Sequence, residues 1–458
     1  MAGPLTRRRL LRLAGGLTSA AATAGLAGCV QGSATRTSGR GVTFWYAFNS
    51  DAQRGYFQRH LVDAYNRRHA ALPVQLTVKD SATLERLQQT AIASGVGPEL
   101  VFTSGPSVAL DYVHSGKLLA LDPYARRYGW PDKLQQWAYD AGLSDGRLYS
   151  LPNSYESMVM FYNRDTMRRH GWSVPADRDD FEEMCAEAKG RGMLPVAAGS
   201  AGWPATTEWF VSAFFNYVAG PDAVYRALRG ETRWTDPVFV DAVSLLDTYF
   251  QRGWFGGDVA DYFTNRSDAM LTALADGGAA VQITGTWAFG DMPLFFTGKQ
   301  ASAWDWAPVP TFAPHVPADA YPLGSGGTFS INADARHPDA AAAYLDWLIS
   351  DRRRQAAAVA AINFEPFPLR FTGSDFPEHT DPRVRRFYTD VAKATHMGYL
   401  SWTFWPPRTE TYLFEKMDKV ITGQLSPRDY CAGLDDVFRE ERAAGSVPPA
   451  PRPDGDIR

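Results

Sequence analysis

The first hydrophobic run past the N-terminal region, Val42-Thr43-Phe44-Trp45, is short and β-prone, and predicts a buried strand with Trp45 in the core. A loop at 46–49 follows, and Ser50 and Asp51 are N-cap residues for a helix that sets Phe57, Leu61, Ala64 and Tyr65 on one face. Pro73-Val74-Gln75-Leu76-Thr77-Val78 predicts a second strand, and Ser81 opens an amphipathic helix whose apolar face runs through Leu84, Leu87 and Ala91. Glu99-Leu100-Val101-Phe102 predicts a third strand. Strand, helix, strand, helix, strand is the order of a parallel sheet with crossover helices, an α/β fold. Ligands of such sheets sit beyond the carboxyl ends of the strands, so the loops at 46–49 and 103–107 converge on one site.

Farther along, Leu148-Tyr149-Ser150-Leu151-Pro152 leads through Asn153-Ser154-Tyr155-Glu156 into a strand at Met158-Val159-Met160-Phe161-Tyr162, where the chain first crosses to another domain. Asp236-Pro237 opens a helix in the cap-then-proline order, and Gly253 ends it. Ala279-Ala280-Val281-Gln282-Ile283 is a buried strand, followed by Thr284-Gly285-Thr286-Trp287. A glycine-rich crossing, Gly324-Ser325-Gly326-Gly327, runs into the strand Thr328-Phe329-Ser330-Ile331 and adds Gly326 and Gly327 to the candidate ligand-binding residues. His337-Pro338-Asp339 opens an Ala-rich helix carrying Tyr344 and Trp347. The last helix begins at Ser426-Pro427 and aligns Tyr430, Leu434, Val437 and Phe438; the Pro-rich tail, 446–458, is expected to be disordered.

Composition changes the picture at the N-terminus. Thr6-Arg7-Arg8-Arg9-Leu10-Leu11-Arg12, a short Gly/Ala-rich apolar run and Leu26-Ala27-Gly28-Cys29 have the order of a signal peptide over 1–28. The arginine pair resembles a twin-arginine export signal, and the last four residues a lipobox whose Cys29 becomes the lipidated N-terminus. The Gly/Ser/Thr-rich tract within 29–40 has linker composition, placing the body outside the cytoplasm, tethered to the outer face of the cell membrane. Cys185 and Cys431 remain; an exported pair could form a disulfide, and two buried thiols fit equally well. The 458 residues suffice for two domains, and 45% hydrophobic with 21% charged residues describe a globular protein. A net charge of -4 gives no bulk attraction to nucleic acid.

Enzyme signatures are weak. Gly142-Leu143-Ser144-Asp145-Gly146 matches a nucleophile-elbow string, but a strand follows where a helix is required, so it reads as a hairpin turn. Gly324-Ser325-Gly326-Gly327 lacks the Lys-Ser/Thr ending of a phosphate loop. The eight histidines are scattered without zinc-ligand spacing, and no cofactor is implied. No carboxylate pair stands out for glycoside cleavage. What stands out is aromatic residues at element ends: Tyr46, Trp203, Trp209, Trp287, Phe364, Trp402 and Trp405. Such rings cover the apolar C–H face of a pyranose while polar side chains bond its hydroxyl rim. Each is also a candidate for ordinary core burial.

The ordered set comprising the lipobox, Val42-Thr43-Phe44-Trp45, Pro98-Glu99-Leu100-Val101-Phe102, Gly116-Lys117-Leu118-Leu119-Ala120-Leu121-Asp122, Gly146-Arg147-Leu148-Tyr149-Ser150-Leu151-Pro152 and Phe161-Tyr162-Asn163-Arg164-Asp165 resembles the extracellular solute-binding proteins of family 1. These are the sugar receptors of carbohydrate ABC importers. The likeness continues through Gly278-Ala279-Ala280-Val281, Gly285-Thr286-Trp287 and Ser330-Ile331-Asn332. It implies a two-lobed periplasmic-binding-protein-like fold with hinge strands, lobes at 41–153 with 323–368 and at 154–322 with 369–445, and a sugar in the cleft. It also implies a monomer, without enzymatic activity, that hands its ligand to membrane permease subunits. By position, the resemblance assigns ligand contacts to Tyr46 and Asn49, Ser104 and Ser107, the hinge carboxylate Glu156, Trp287, and the patch with Trp402 and Trp405. Trp203 and Trp209 follow from their place in the second lobe. Pro106-Ser107 stands where maltose-binding members carry an acidic-basic pair, which points away from maltodextrin. Outside this class, a secreted glycoside hydrolase and a receptor for a non-sugar solute are the alternatives.

Overall fold

The computed structural model describes residues 41–48, 50–203 and 205–453. The signal segment, Cys29, the linker and Asn49 lie outside the described residues. Two main sheets organise the rest. The first contains β1 (Val42–Tyr46), β2 (Val74–Val78), β3 (Leu100–Thr103), β6 (Ser150–Pro152) and β12 (Thr328–Ile331), in the order β2-β1-β3-β12-β6. β1 pairs in parallel with β2 and β3, as the alternation of strands and helices predicts. β12 returns from far along the chain and joins antiparallel to both β3 and β6. The second sheet is built on the long β7 (Glu156–Asn163), flanked by β9 (Ala279–Gly285) on one side and by β10 (Trp304–Pro308) and β11 (Ala320–Gly324) on the other. β8 (Leu194–Val196) and β13 (His396–Tyr399) close its edges. Each sheet has its own apolar core: Phe44, Leu100, Phe329 and Tyr344 in the first, Phe161, Phe214, Phe250 and Val281 in the second. The fold is therefore two-lobed, and the chain passes between sheets at 153–155, at 325–327 and a third time between β12 and β13.

Several local expectations change. Val42 and Phe44 are the core residues of β1; Trp45 points to the other face, half-buried, with the Lys79 ammonium 4.5 Å from its ring centre. In the helix Ser81–Ala93 the buried face is Leu84, Gln88 and Ile92, and Leu87 is exposed. Gln88 wins that place because its amide acts as a strand edge, donating to the Phe102 carbonyl (2.6 Å) and accepting from the Phe102 N–H (3.2 Å). The elbow-like string is a hairpin of β4 (Leu143–Ser144) and β5 (Arg147–Leu148), turned by Asp145 and Gly146, both with positive φ. The tail expected to be disordered instead docks through Pro453: the Met397 N–H donates to the Pro453 carbonyl and the Tyr399 hydroxyl to that of Pro451. Cys185 and Cys431 are separate buried thiols. Among the described residues no helix is long and apolar enough to cross a membrane.

In the second lobe, Glu208 is buried and accepts from the Ser401 hydroxyl, and burial lifts its carboxyl to about 8. Glu410 nearby is pushed up by burial and then by Glu208. The unfolded chain releases the Glu208 proton near pH ~4.3, so around neutrality it binds fewer protons than the folded protein. Stability therefore declines as pH rises from that value towards about 8. Glu208→Gln should flatten this decline and raise the melting temperature most at the alkaline end; a parental slope in thermal denaturation across pH would count against a neutral Glu208.

Candidate functional site

Alternation along β1 places Phe44 and Tyr46 on one face, their rings stacked 5.5 Å apart. Phe44 is core, and Tyr46, at the strand's carboxyl end, reaches a cavity of about 70 Å³. Its ring is set edge-on by Phe48 at 4.8 Å and Phe102 at 5.1 Å, and the Asn153 amide donates to its hydroxyl at 3.3 Å. Phe364 and Glu365 reach the same cavity by a different device. The helix Arg352–Ile362 stops at Asn363, whose positive φ turns the chain, and whose side chain donates to the Phe289 carbonyl. Pro366 and Pro368 then bar any return to helix.

From the second lobe comes Trp287, just past β9. Its ring folds over Gly285, where a Cβ would lie 2.0 Å from a ring carbon, so only glycine admits that pose. Trp209 lies 4.9 Å and Trp402 5.9 Å from it, ring centre to ring centre. Trp287 also lines a wider groove of about 490 Å³, with Trp203, Trp209, Gln282, Asp291 and Leu294. Trp203 is half exposed there.

Between the two lobes sits a pair of carboxyl groups. Glu156, the first residue of β7, accepts from the Ser154 hydroxyl at 3.0 Å and from the Trp402 indole N–H at 3.2 Å. Glu365 accepts from the Thr286 hydroxyl at 3.3 Å, and the two glutamates hydrogen-bond to each other. A hydrogen bond between carboxyls requires a proton, so one of them is neutral. Burial, then Glu156, push Glu365 well above the ordinary carboxyl range; burial raises Glu156 too, against the opposing hydrogen bonds. Burial also raises Asp291, to about 6. Gly326 makes this contact possible: its N–H donates to Ser154 Oγ at 2.7 Å, and a Cβ on it would fall 1.8 Å from Glu156 Oε1. Carboxyls in mutual hydrogen-bond contact are closer than the ~5–5.5 Å or ~6.5–9.5 Å spacings used in glycoside cleavage.

The remaining sequence-predicted residues are placed elsewhere. Ser107 is fully buried and donates to the Trp405 carbonyl, while Trp405 packs in the second lobe's core, 5.4 Å from the Trp234 ring. Neither reaches the cavity, because the helix Pro106–His114 that carries Ser107 is packed against the segment Ser401–Phe404. The Ser104 N–H donates to the Glu85 carboxylate, and Gly327 sits against the Phe102 ring and Asn153. Trp402 is buried on the acid pair. Sequence reading passed over Gln53, Asn153, Ser154 and Glu365, all of which line the cavity. Glu365 had a signal: it is the only charged residue between Arg354 and Arg370.

Two α/β lobes with a ring- and carboxyl-lined slot between them define a binding protein of the hinged, cleft type. The chain belongs to the bacterial extracellular solute-binding proteins, whose family model matches residues 49–354. It is 26% identical over 209 residues to a probable sugar-binding periplasmic protein of Mesorhizobium japonicum, a match over 44% of this chain and 47% of that one. The matched stretch thus spans about half of that relative's length. It is 22% identical to the multiple sugar-binding protein of Streptococcus mutans, over 80% of this chain and 84% of that one. Among solved structures, a chitin oligosaccharide binding protein superposes with a TM-score of 0.75 at 18% identity, covering 88% of this chain and 99% of that one.

Trp405→Ala tests the placement of that ring. Removing a fully buried tryptophan should cost about 3–5 kcal/mol of unfolding free energy in a denaturant titration. A loss under about 1 kcal/mol would mean the ring is not a core element.

Proposed function

We propose that this protein is the lipid-anchored substrate-binding component of an ABC-type carbohydrate importer, capturing a sugar or oligosaccharide between its lobes and delivering it to a permease. The observation that carries this reading is the slot itself, in which Tyr46 and Phe364 from the first lobe face the same small cavity as Trp287 from the second. A pyranose presents flat C–H faces and a rim of hydroxyls. Rings remove the faces from water at ~25 cal/mol per Å², and charge-assisted hydrogen bonds to the rim add about 1.5–3 kcal/mol each. A few such contacts supply the ~8 kcal/mol of micromolar binding. Gln53, Asn153, Ser154 and Glu365 are the polar side chains that line the slot, with Glu156 bonded behind Glu365.

Mechanism follows from where the contacts come from. A ligand shifts an open–closed equilibrium only by its differential affinity for the two states. A guest held by Tyr46 alone would bind both states alike; one that also touches Trp287 favours closure. The closed pair of lobes then presents a surface for the permease. The names of the relatives, a probable sugar-binding periplasmic protein and a multiple sugar-binding protein, support sugar as the solute class.

The test is a thermal-shift and calorimetric screen of the protein against mono- and oligosaccharides. At least one should raise the melting temperature and bind, and Trp287→Ala should weaken that binding on the order of tenfold, ~1.4 kcal/mol, with little change in the ligand-free melting temperature. Unaltered affinity in the variant would remove Trp287 from the site. Cys29→Ser should shift the protein from the membrane to the soluble fraction of cells; a variant that still pellets with membranes contradicts the anchor.

A further inference from the structure

The acid pair is more than a hydroxyl-binding site requires. Glu156 already receives donors on both oxygens, from Ser154 and Trp402, and Glu365 receives one from Thr286. A neutral sugar hydroxyl needs one acceptor, which a single carboxylate or the Asn153 carbonyl provides. Two glutamates pressed together between the lobes impose a burden that one would not, because a buried negative charge without a counter-charge is strongly disfavoured.

The surroundings deepen the imbalance. The titratable groups that face the pair are Tyr46 from β1, Tyr388 from the helix Pro382–Val391 and Asp291 beyond Trp287. All are acids or phenols. Among the described residues that line the cavity none is lysine, arginine or histidine, while Tyr46, Phe48, Trp287 and Phe364 supply aromatic rings. Neither glutamate has an ion-pair partner among the described salt bridges, although Arg and Lys pair with acids elsewhere in the molecule, as Arg386 does with Asp305 at 2.7 Å. Clustered rings, adjacent carboxyls and a missing cation are the complement of an ammonium group.

Resting on the saccharide reading above, we propose that the ligand is an amine-bearing saccharide whose ammonium is received by Glu156 and Glu365 in the ring-lined slot. Entry of the ammonium supplies the missing counter-charge. The proton held between the two carboxyls is then no longer needed and leaves to the buffer. The balance is one cation in and one proton out: the pair goes from a single negative charge to two, and the ligand keeps its positive charge. Neutral sugars have no such exchange.

The experiment is titration calorimetry on the full chain, with short glucosamine oligosaccharides bearing free amines, their N-acetylated counterparts and neutral gluco-oligosaccharides as probes. Each titration is run at neutral pH in phosphate and in Tris, whose protonation heats differ. The free amines should bind tighter than the N-acetylated forms on the order of tenfold, the scale of one buried charge contact. Their binding heat should differ between buffers in the direction of proton release. Glu365→Gln should abolish both the preference and the buffer dependence; if that variant does not fold, the wild-type comparison decides alone. Equal binding of neutral and amine-bearing sugars without buffer dependence overturns the amine and leaves the saccharide reading intact. Binding of none of the probes, with no thermal shift from any saccharide, overturns both.

Discussion

Two carboxyl groups in mutual hydrogen-bond contact cannot both carry charge, and much of the molecule's centre is arranged around that constraint at Glu156 and Glu365. One glutamate opens the long strand of the second lobe, and the other hangs from the segment that ends the first lobe's last helix. They meet because the chain crosses between sheets beside them. The crossing at 325–327 must pass within bonding distance of Glu156, and Gly326 is the only kind of residue whose side chain leaves room for the carboxyl. Ser154, from the first crossing, bridges the Gly326 N–H and the Glu156 oxygen. The two crossings and the acid pair are thus one hydrogen-bonded unit.

The aromatic residues divide by what lies behind them. Tyr46 and Trp287 each have packed support on one side, the Phe44 ring for the former and Gly285 with Trp209 for the latter, and the cavity on the other. Rings held in this way are rigid walls, which would lose little rotamer freedom of their own on contact with a guest. Trp405 has protein on every side, Trp234 among it, and works as core. Trp203 lies between these extremes, half exposed on the groove that Trp287 shares with the smaller cavity.

How far the sequence carried this is a question of which forces leave a pattern. Burial leaves a period, and β1, β3, β7, β9 and β12 were legible from it, as was the crossing of the chain into a second lobe. Hydrogen bonds leave none. Gln88 takes the buried place assigned to Leu87 because it completes a strand edge, which no hydropathy pattern encodes. The same blindness affected the aromatic patch near 402–405: the short helix Ser401–Phe404 ends before Trp405, so Trp402 meets the acid pair while Trp405, three residues on, packs against Trp234. Glu365 was visible in principle, as a lone charge in a long neutral stretch, where an acid persists only if something holds it.

The loop after β3 shows why position in a fold is weaker evidence than packing. The carboxyl end of a parallel strand is where ligands gather, and Ser104 and Ser107 were assigned to the site on that basis. Here that space is filled from within. The Ser107 hydroxyl is bound to the Trp405 carbonyl, and Gly105 abuts the Trp402 backbone so closely that a Cβ would fall 2.2 Å from its carbonyl oxygen. One side of the cleft is therefore sealed by the second lobe's own chain, and the opening that remains lies along β1, between Tyr46 and Trp287. A guest entering there would meet Glu365, with Glu156 bonded behind it, and the wider groove of Trp209 and Trp203 across Trp287. In the proposed complex the amine-bearing end of the guest would face these carboxyls, because no lysine, arginine or histidine stands among the described residues that line the smaller cavity.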